Sequence, residues 1–225
     1  YGKPLMFFTL LKKELFVEFR TREITISMIV FGLAIILTFA FSSNVSPMII
    51  VNFAPGMFWI MVLFVTVIGV HRSFAYEKEF DAFSMLISAP IDRGLIFLSK
   101  WISGFIFLTI MEILLFIPFF KFLMIDFPTQ PWLALGTTLL INLAIMVVAS
   151  LVSGIAMRAR LSEVLLPILL FPLVSPVIIS ATKISGSIMR GEPYALWDIW
   201  LLIILTVIVV FGLVGYTLFD FITEE

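Results

Sequence analysis

The sequence predicts an all-helical integral membrane protein with six transmembrane helices, an N-terminal interfacial helix and an amphipathic cytoplasmic helix between spans two and three. Hydrophobic residues make up 62% of the 225 residues, charged residues make up 13%, and the mean hydropathy is +1.19. Apolar runs of about 20 residues, the length that crosses a bilayer as a helix, recur along the chain. A soluble enzyme, a nucleic-acid-binding domain and a disordered chain are therefore excluded. The alternating ten-residue segments of a β-barrel are absent from the sequence.

The whole chain, residues 1–225, is predicted to form a single transmembrane domain. Its parts are an interfacial helix at 1–23, spans one and two within 24–70, a connecting segment at 71–94, spans three and four within 95–156, and spans five and six within 164–219. The individual spans are predicted at 24–41, 49–70, 95–122, 133–156, 164–184 and 197–219.

The segment before the first span combines large apolar residues with charged ones. Phe8, Leu11, Leu15 and Phe19 follow one another at helical spacing and form one stripe. This pattern predicts a helix that lies in the membrane interface with its apolar face towards the lipid. The alternative is an N-terminal extension of the first span.

Prolines lie in three of the predicted spans, and those of spans two and five are at positions that suggest a hinge or a transport pathway. Span two begins with Pro55 and Gly56, followed by Trp59, and span three contains Pro118. Span five contains three prolines, which are expected to kink or break its helix because each removes a backbone donor. A broken helix in lipid needs neighbouring protein or water to satisfy its carbonyls, so span five is expected to face the protein interior. The three are Pro167, Pro172 and Pro176.

The connection between spans two and three is the longest polar stretch in the chain. It predicts a short amphipathic helix that ends before Pro90 and has an aromatic stripe beside a polar one. The candidate contact residues are Tyr76, Phe80, Phe83 and Ile87 in the first stripe and Glu77 and Asp81 in the second. Such a helix could dock a soluble partner or lie on the lipid headgroups.

Polar candidates inside the spans are few. Glu112 is the one ionisable residue predicted well inside a span, where it either takes part in function or hydrogen-bonds two helices together. Asn142 is expected to pack helices in the same way. His71, the only histidine, lies beside Arg72 at the end of span two and is better explained as an interfacial residue than as a metal or haem ligand.

The distribution of Lys and Arg predicts that both termini are cytoplasmic. Eleven of the fourteen lie before the first span or in the even-to-odd connections, and three lie on the other side. The three are Lys121, Lys183 and Arg190.

The motifs of ATP-binding, hydrolytic and metal-dependent enzymes are absent from the sequence. It has no cysteine, a single Gly-Lys pair at Gly2-Lys3 and one histidine. Catalytic and metal sites are therefore not expected, and any ATP chemistry would have to come from another chain.

Three stretches resemble the CcmB family, the type-2 ABC transporter membrane subunits of cytochrome c maturation. They are the run at 53–59, the segment from Glu77 to the Leu-Ile-Ser-Ala-Pro ending at Pro90, and the proline-rich run at 166–176. The sequence Asp81-Ala-Phe-Ser stands where the family usually has Asp-Gly followed by an acidic residue and Leu. Size and loop lengths agree over nearly the whole chain.

This resemblance implies a homodimer in the bacterial inner membrane, bound to two copies of the cytoplasmic ATPase CcmA. The complex would include CcmC and CcmD and serve the haem chaperone CcmE, with ATP hydrolysis linked to release of the haem-loaded chaperone. The helix at 77–88 would be the ATPase-coupling element, ATP would bind to the partner, and this chain would hold no cofactor. Two other readings are a type-2 ABC permease for a lipid or glycan and an ATP-independent carrier.

Overall fold

The computed structural model describes residues 3–20, 22–42, 47–79, 92–157 and 162–222, and most of these residues are helical. The elements are α1 (Lys3–Arg20), α2 (Arg22–Ser42), α3 (Pro47–Glu79), α4 (Arg93–Phe122), α5 (Pro131–Met157), α6 (Ser162–Met189), a 3₁₀ turn (Tyr194–Leu196) and α7 (Asp198–Ile222).

Helices α2 to α7 are each long and apolar enough to cross a membrane, which confirms the predicted six spans. The first span has the predicted bounds, and the fifth extends beyond its predicted end, to Met189. The largest difference is in α3, which continues past the predicted end of span two as far as Glu79. The connection expected from residue 71 onward is therefore helical at its start.

The centre of the bundle is α5, which packs against α4, α6 and α7. The buried side of α5 includes small residues over its second half, among them Ala144, Ala149, Ser150, Ser153 and Gly154. Small side chains let membrane helices approach closely, which is how one helix can contact several neighbours.

Prolines do not break any of the spans. Helix α6 runs without interruption from Ser162 to Met189, with its three prolines inside it. Pro55 and Pro118 likewise lie inside the continuous helices α3 and α4. Of the kinked or broken helix expected for span five, the break is therefore not found. Each proline removes one hydrogen bond of its helix, and at spacings of four and five residues every turn keeps other bonds.

The orientation of α6 also differs from the expectation. Pro172 and Pro176 are exposed and Pro167 is half-buried, so the proline face points away from the bundle. The opposite face packs inside, on α3, α5 and α7. Its buried residues are Leu166, Leu170, Val174, Val177, Ala181 and Ile184.

The ends of two helices are fixed by local hydrogen bonds. Asp92 caps α4, because its side chain accepts a 3.0 Å hydrogen bond from the backbone N–H of Gly94. After α6, Gly191 has a φ of 66°, a left-handed conformation that favours glycine, and the N–H of Glu192 donates to the carbonyl of Ser187 at 2.9 Å.

Helix α1 is a separate element that packs mainly against α4. Leu10 and Glu14 are its buried residues, whereas Phe8 and Phe16 are exposed. The predicted N-terminal helix is thus present, and its place at the membrane interface stays a prediction. The end of the bundle that carries α1 and the C-terminus of α3 is called the α1 end below, and the other is called the opposite end.

Candidate functional site

Two of the six candidate coupling residues belong to the described helix α3, at the α1 end. Tyr76 and Glu77 belong to the last turns of α3, which continues six residues beyond Ser73, where the apolar stretch ends. Phe80, Asp81, Phe83 and Ile87 lie outside the described residues. The structure shows that the second span continues as helix α3 up to Glu79, directly before this segment.

The start of α3 is fastened to the end of α6. The indole Nε1 of Trp59 donates a 2.8 Å hydrogen bond to Oγ of Ser185, and Trp59 is 1% exposed. One turn earlier, Gly56 lies so near α6 that an added Cβ would be 3.6 Å from Cγ2 of Thr182. Pro55 is buried beside them. Helices α3 and α6 are therefore in direct contact at the opposite end.

The candidate pathway or hinge residues do not form one cluster. Pro55, Gly56 and Trp59 lie between α3 and α6, whereas the prolines of α6 lie on its outward face. Glu112 is in a third place, between α4 and α5. A single pathway lined by all of them is not present in this arrangement.

Glu112 joins two central helices. The amide Nδ2 of Asn142 on α5 donates to the Oε2 carboxyl oxygen of Glu112 on α4, and also approaches Oγ1 of Thr109 at 3.3 Å. Glu112 is 4% exposed and Asn142 is fully buried. Oε1 of Glu112 and Oδ1 of Asn142 have no hydrogen-bond partner among the described residues. Glu112 and Asn142, the two polar residues noted in the spans, are thus hydrogen-bonded to each other, and each keeps one oxygen without a hydrogen-bond donor among the described residues.

A second buried carboxyl, which the sequence analysis missed, lies at the α1 end. Glu14 is 4% exposed, and its oxygens lie 2.9 Å from Nζ of Lys13 and 3.7 Å from Nζ of Lys100. Lys100 belongs to α4, so the ion pair ties α1 to the transmembrane bundle. Because the two sides are far apart in the sequence, helical periodicity could not reveal the pairing.

The surroundings of Glu14 keep its carboxyl group ionised. Burial alone would raise the pKa of the Glu14 carboxyl, but the nearby ammonium groups of Lys100 and Lys13 outweigh burial and hold this pKa below its ordinary value. The ion pair is therefore present at neutral pH.

A small cavity of about 60 Å³, lined by both polar and apolar residues, adjoins Glu14. Lys100 and the hydroxyl-bearing residues Ser103, Ser150 and Ser153 form the polar part of its wall. A cavity of this size has room for a few water molecules beside these polar groups. The serine pairs Ser99/Ser103 in span three and Ser150/Ser153 in span four were the available sequence signal, because spacings of four and three put hydroxyls on one face of each apolar helix.

No metal-binding group was found in the part of the chain that the structure describes, where no three His, Asp or Glu side chains cluster. His71 is half-buried near the end of α3.

Comparison with known proteins decides the family. A family model described as CcmB protein matches residues 5–218. The chain belongs to the CcmB family. It is also 24% identical over 192 residues to Heme exporter protein B of Haemophilus influenzae, a match that covers 84% of this chain and 86% of that relative. The resemblance seen in the three sequence stretches is thereby confirmed.

The CcmB match spans both buried carboxyls and all six membrane helices. Membership makes the chain a multi-pass membrane protein and the membrane subunit of an ABC transporter, which is not itself the catalyst. Family membership therefore disfavours the two alternatives, a lipid or glycan permease and an ATP-independent carrier.

Proposed function

We propose that this chain is the inner-membrane subunit of an ATP-driven haem-export complex that serves cytochrome c maturation. The name of the Haemophilus influenzae relative, Heme exporter protein B, supports haem as the compound that the complex handles. ATP binds to a separate CcmA subunit, and CcmC, CcmD and the haem chaperone CcmE are the further partners. Both termini and the α1 end face the cytoplasm, as the Lys and Arg distribution predicts.

The observation that carries the coupling mechanism is the length of α3. This helix runs from Pro47 through the membrane to Glu79 without interruption, and the segment with Phe80 and Phe83 follows immediately. A push delivered to that segment by an ATPase would move α3 as one rigid body. The hydrogen bond from Trp59 to Ser185 would then pass the movement to α6.

The outward face of α6 supports the homodimer. Pro172 and Pro176 lack N–H groups, so the carbonyls of Ile168 and Pro172 lose their usual helical donors on an exposed face. Unsatisfied carbonyls are costly against lipid. A second copy packed on this face would remove them from the hydrocarbon.

The test of the proposed function is the double substitution Phe80→Ala with Phe83→Ala. Buried aromatic anchors commonly cost about 2 kcal/mol or more when truncated at an interface. The variant is expected to insert normally, to lose the ATPase on purification and to abolish cytochrome c maturation.

The matched control removes two aromatics from the other end of the same spans. Phe41→Ala with Phe53→Ala changes exposed residues at the opposite end, which is expected to leave ATPase retention and maturation intact. Full maturation and normal ATPase recovery in the Phe80/Phe83 variant would contradict the coupling role.

A further inference from the structure

A large apolar groove lies between α4 and α5 near the opposite end of the bundle. Its volume is about 490 Å³, within the range of about 300–1,000 Å³ typical of ligand sites. Ile113, Ile117 and Leu135 line it and are each more than one-third exposed. Because both walls are membrane-spanning helices, this exposed rim faces the hydrocarbon of the bilayer.

One side of the groove is built from aromatic rings. Phe116 and Phe127 both line it, with their ring centroids 5.8 Å apart. The ring of Phe120 stacks on that of Phe127, with their centroids 5.2 Å apart and their planes 10° from parallel. The centroid of Phe120 also lies 4.4 Å from that of Phe116. This stacked cluster ties the α4–α5 connection to α4 and gives the groove a firm apolar wall.

The deep end of the groove is polar. Thr109 and Glu112 line it there, and Asn142 holds the Glu112 carboxyl from behind. The two oxygens without partners, Oε1 of Glu112 and Oδ1 of Asn142, are both buried at this level. In the middle of a bilayer no water replaces a missing donor, so these oxygens favour a ligand that brings a hydrogen-bonding group with it.

The lining also limits the charge of that ligand. Among the described residues that form the groove, Glu112 is the one ionisable group, and no Lys or Arg is present to pair with an anion. A phosphate or carboxylate headgroup would therefore be buried without compensation. An uncharged hydroxyl group can donate to the unpaired oxygen of Glu112, the one of the two residues that lines the groove, without that cost.

We propose that this groove binds an uncharged membrane amphiphile, a hydrocarbon chain that ends in a hydroxyl group. The hydroxyl lies at the deep end and donates to Glu112, and the chain lies along the aromatic wall towards Phe127. This polarity is opposite to that of an ordinary lipid in the bilayer, whose polar end stays at the membrane surface. The site does not rest on the proposed haem-export function, since the isolated chain contains all of it.

The polarity gives a direct test with two photoreactive long-chain alcohols in nanodiscs containing the full chain. One alcohol carries its diazirine beside the hydroxyl, and the other carries it at the far end of the chain. The first is expected to label residues 109–116 and the second residues 127–131, as read by peptide mass spectrometry. The reverse pattern would identify an ordinary lipid chain and overturn the proposal, and so would equal labelling of the exposed surface of α7.

Two variants and one analogue check the hydrogen bond. Glu112→Leu, and the methyl ether of the first probe, are each expected to reduce labelling of 109–116 by about tenfold, the loss that follows from one missing buried hydrogen bond. Glu112→Gln, which keeps a hydrogen-bonding group, retains labelling.

Ala134→Phe keeps the polar residues but fills the groove, so it tests the site even if Glu112→Leu fails to fold. It is expected to abolish labelling, whereas Leu202→Phe on the exposed face of α7 leaves labelling unchanged. Labelling that survives in Ala134→Phe would overturn the alcohol as occupant of the groove. So would equal labelling by the alcohol and its methyl ether, if added haem abolishes that labelling.

Discussion

The two ends of the bundle bury a carboxyl group in different ways. At the α1 end, Glu14 has two lysine ammonium groups as partners and adjoins a cavity whose wall includes three serines. Towards the opposite end, Glu112 has an uncharged amide as its hydrogen-bonding partner and an apolar groove beside it. Both side chains are equally inaccessible, at 4% exposure, so the difference lies in the partners and not in the degree of burial.

This difference shows that the two ends are built for different neighbours. An ion pair that holds α1 to α4 suits an end that meets water and soluble protein. A carboxyl held by an amide, next to aromatic rings, suits a part of the molecule surrounded by hydrocarbon. Substitutions at the two sites should therefore have different energetic signatures.

The largest expected effect is at the α1 end. Glu14→Ala removes the buried carboxylate that Lys13 and Lys100 share, and breaking a buried ion pair from one side costs about 3 kcal/mol or more. We expect a lower Tm in detergent and faster hydrogen exchange throughout α1.

The control is the exposed ion pair after α6. Glu192→Gln removes the 2.6 Å contact with Arg190, and it is expected to leave Tm unchanged because solvent screens this pair. If Glu14→Ala were as harmless as Glu192→Gln, the two ends would not differ in the way described.

A smaller effect is expected at Glu112, and its sign depends on how many partners are removed. Asn142→Leu leaves the buried carboxyl without its donor, which should cost about 2 kcal/mol of unfolding free energy. Replacing both Glu112 and Asn142 by Leu removes the polar pair altogether and should recover most of that loss. A double-mutant cycle measures the coupling, and additive losses would show that the hydrogen bond contributes nothing.

The smallest expected effect is a dependence of α1 on pH. The pKa of Glu14 is lowered in the folded chain, so its contribution to stability is fully present above the ordinary glutamate value of about 4.3 and is lost as the pH falls through the folded-state pKa. The protection of the α1 amides against hydrogen exchange, corrected for the intrinsic pH dependence of exchange, should therefore fall in acid. Glu14→Gln should remove the part of this pH dependence that Glu14 causes. The control variant Glu192→Gln should leave that part in place.

Much of the fold could be predicted from the sequence because hydrocarbon imposes a strong rule. A run of apolar residues of bilayer length must be a helix, and all six predicted spans are found as such helices. The same rule explains the error in α6. Three prolines suggested a broken helix, but the loss of single hydrogen bonds at separate turns left a continuous one.

The candidate site was less predictable because its contacts join distant parts of the chain. Glu112 and Asn142 were both identified as isolated polar residues in apolar spans, and their mutual hydrogen bond follows from the packing of α4 on α5. Glu14 gave no such signal, since it lies among other charged residues in a segment predicted to lie at the membrane interface. Only the packing of α1 on α4 shows that it is buried.

The central claim is that the segment after α3 receives the work of an ATPase at the α1 end. The chain has no cysteine, so Phe83→Cys creates a unique thiol for a reagent that joins it to lysines on a co-expressed CcmA in membranes. Phe53→Cys, at the opposite end of α3, is the matched control. The account predicts a cross-linked product with CcmA from position 83 and none from position 53. No product from position 83, or products from both positions alike, would contradict it.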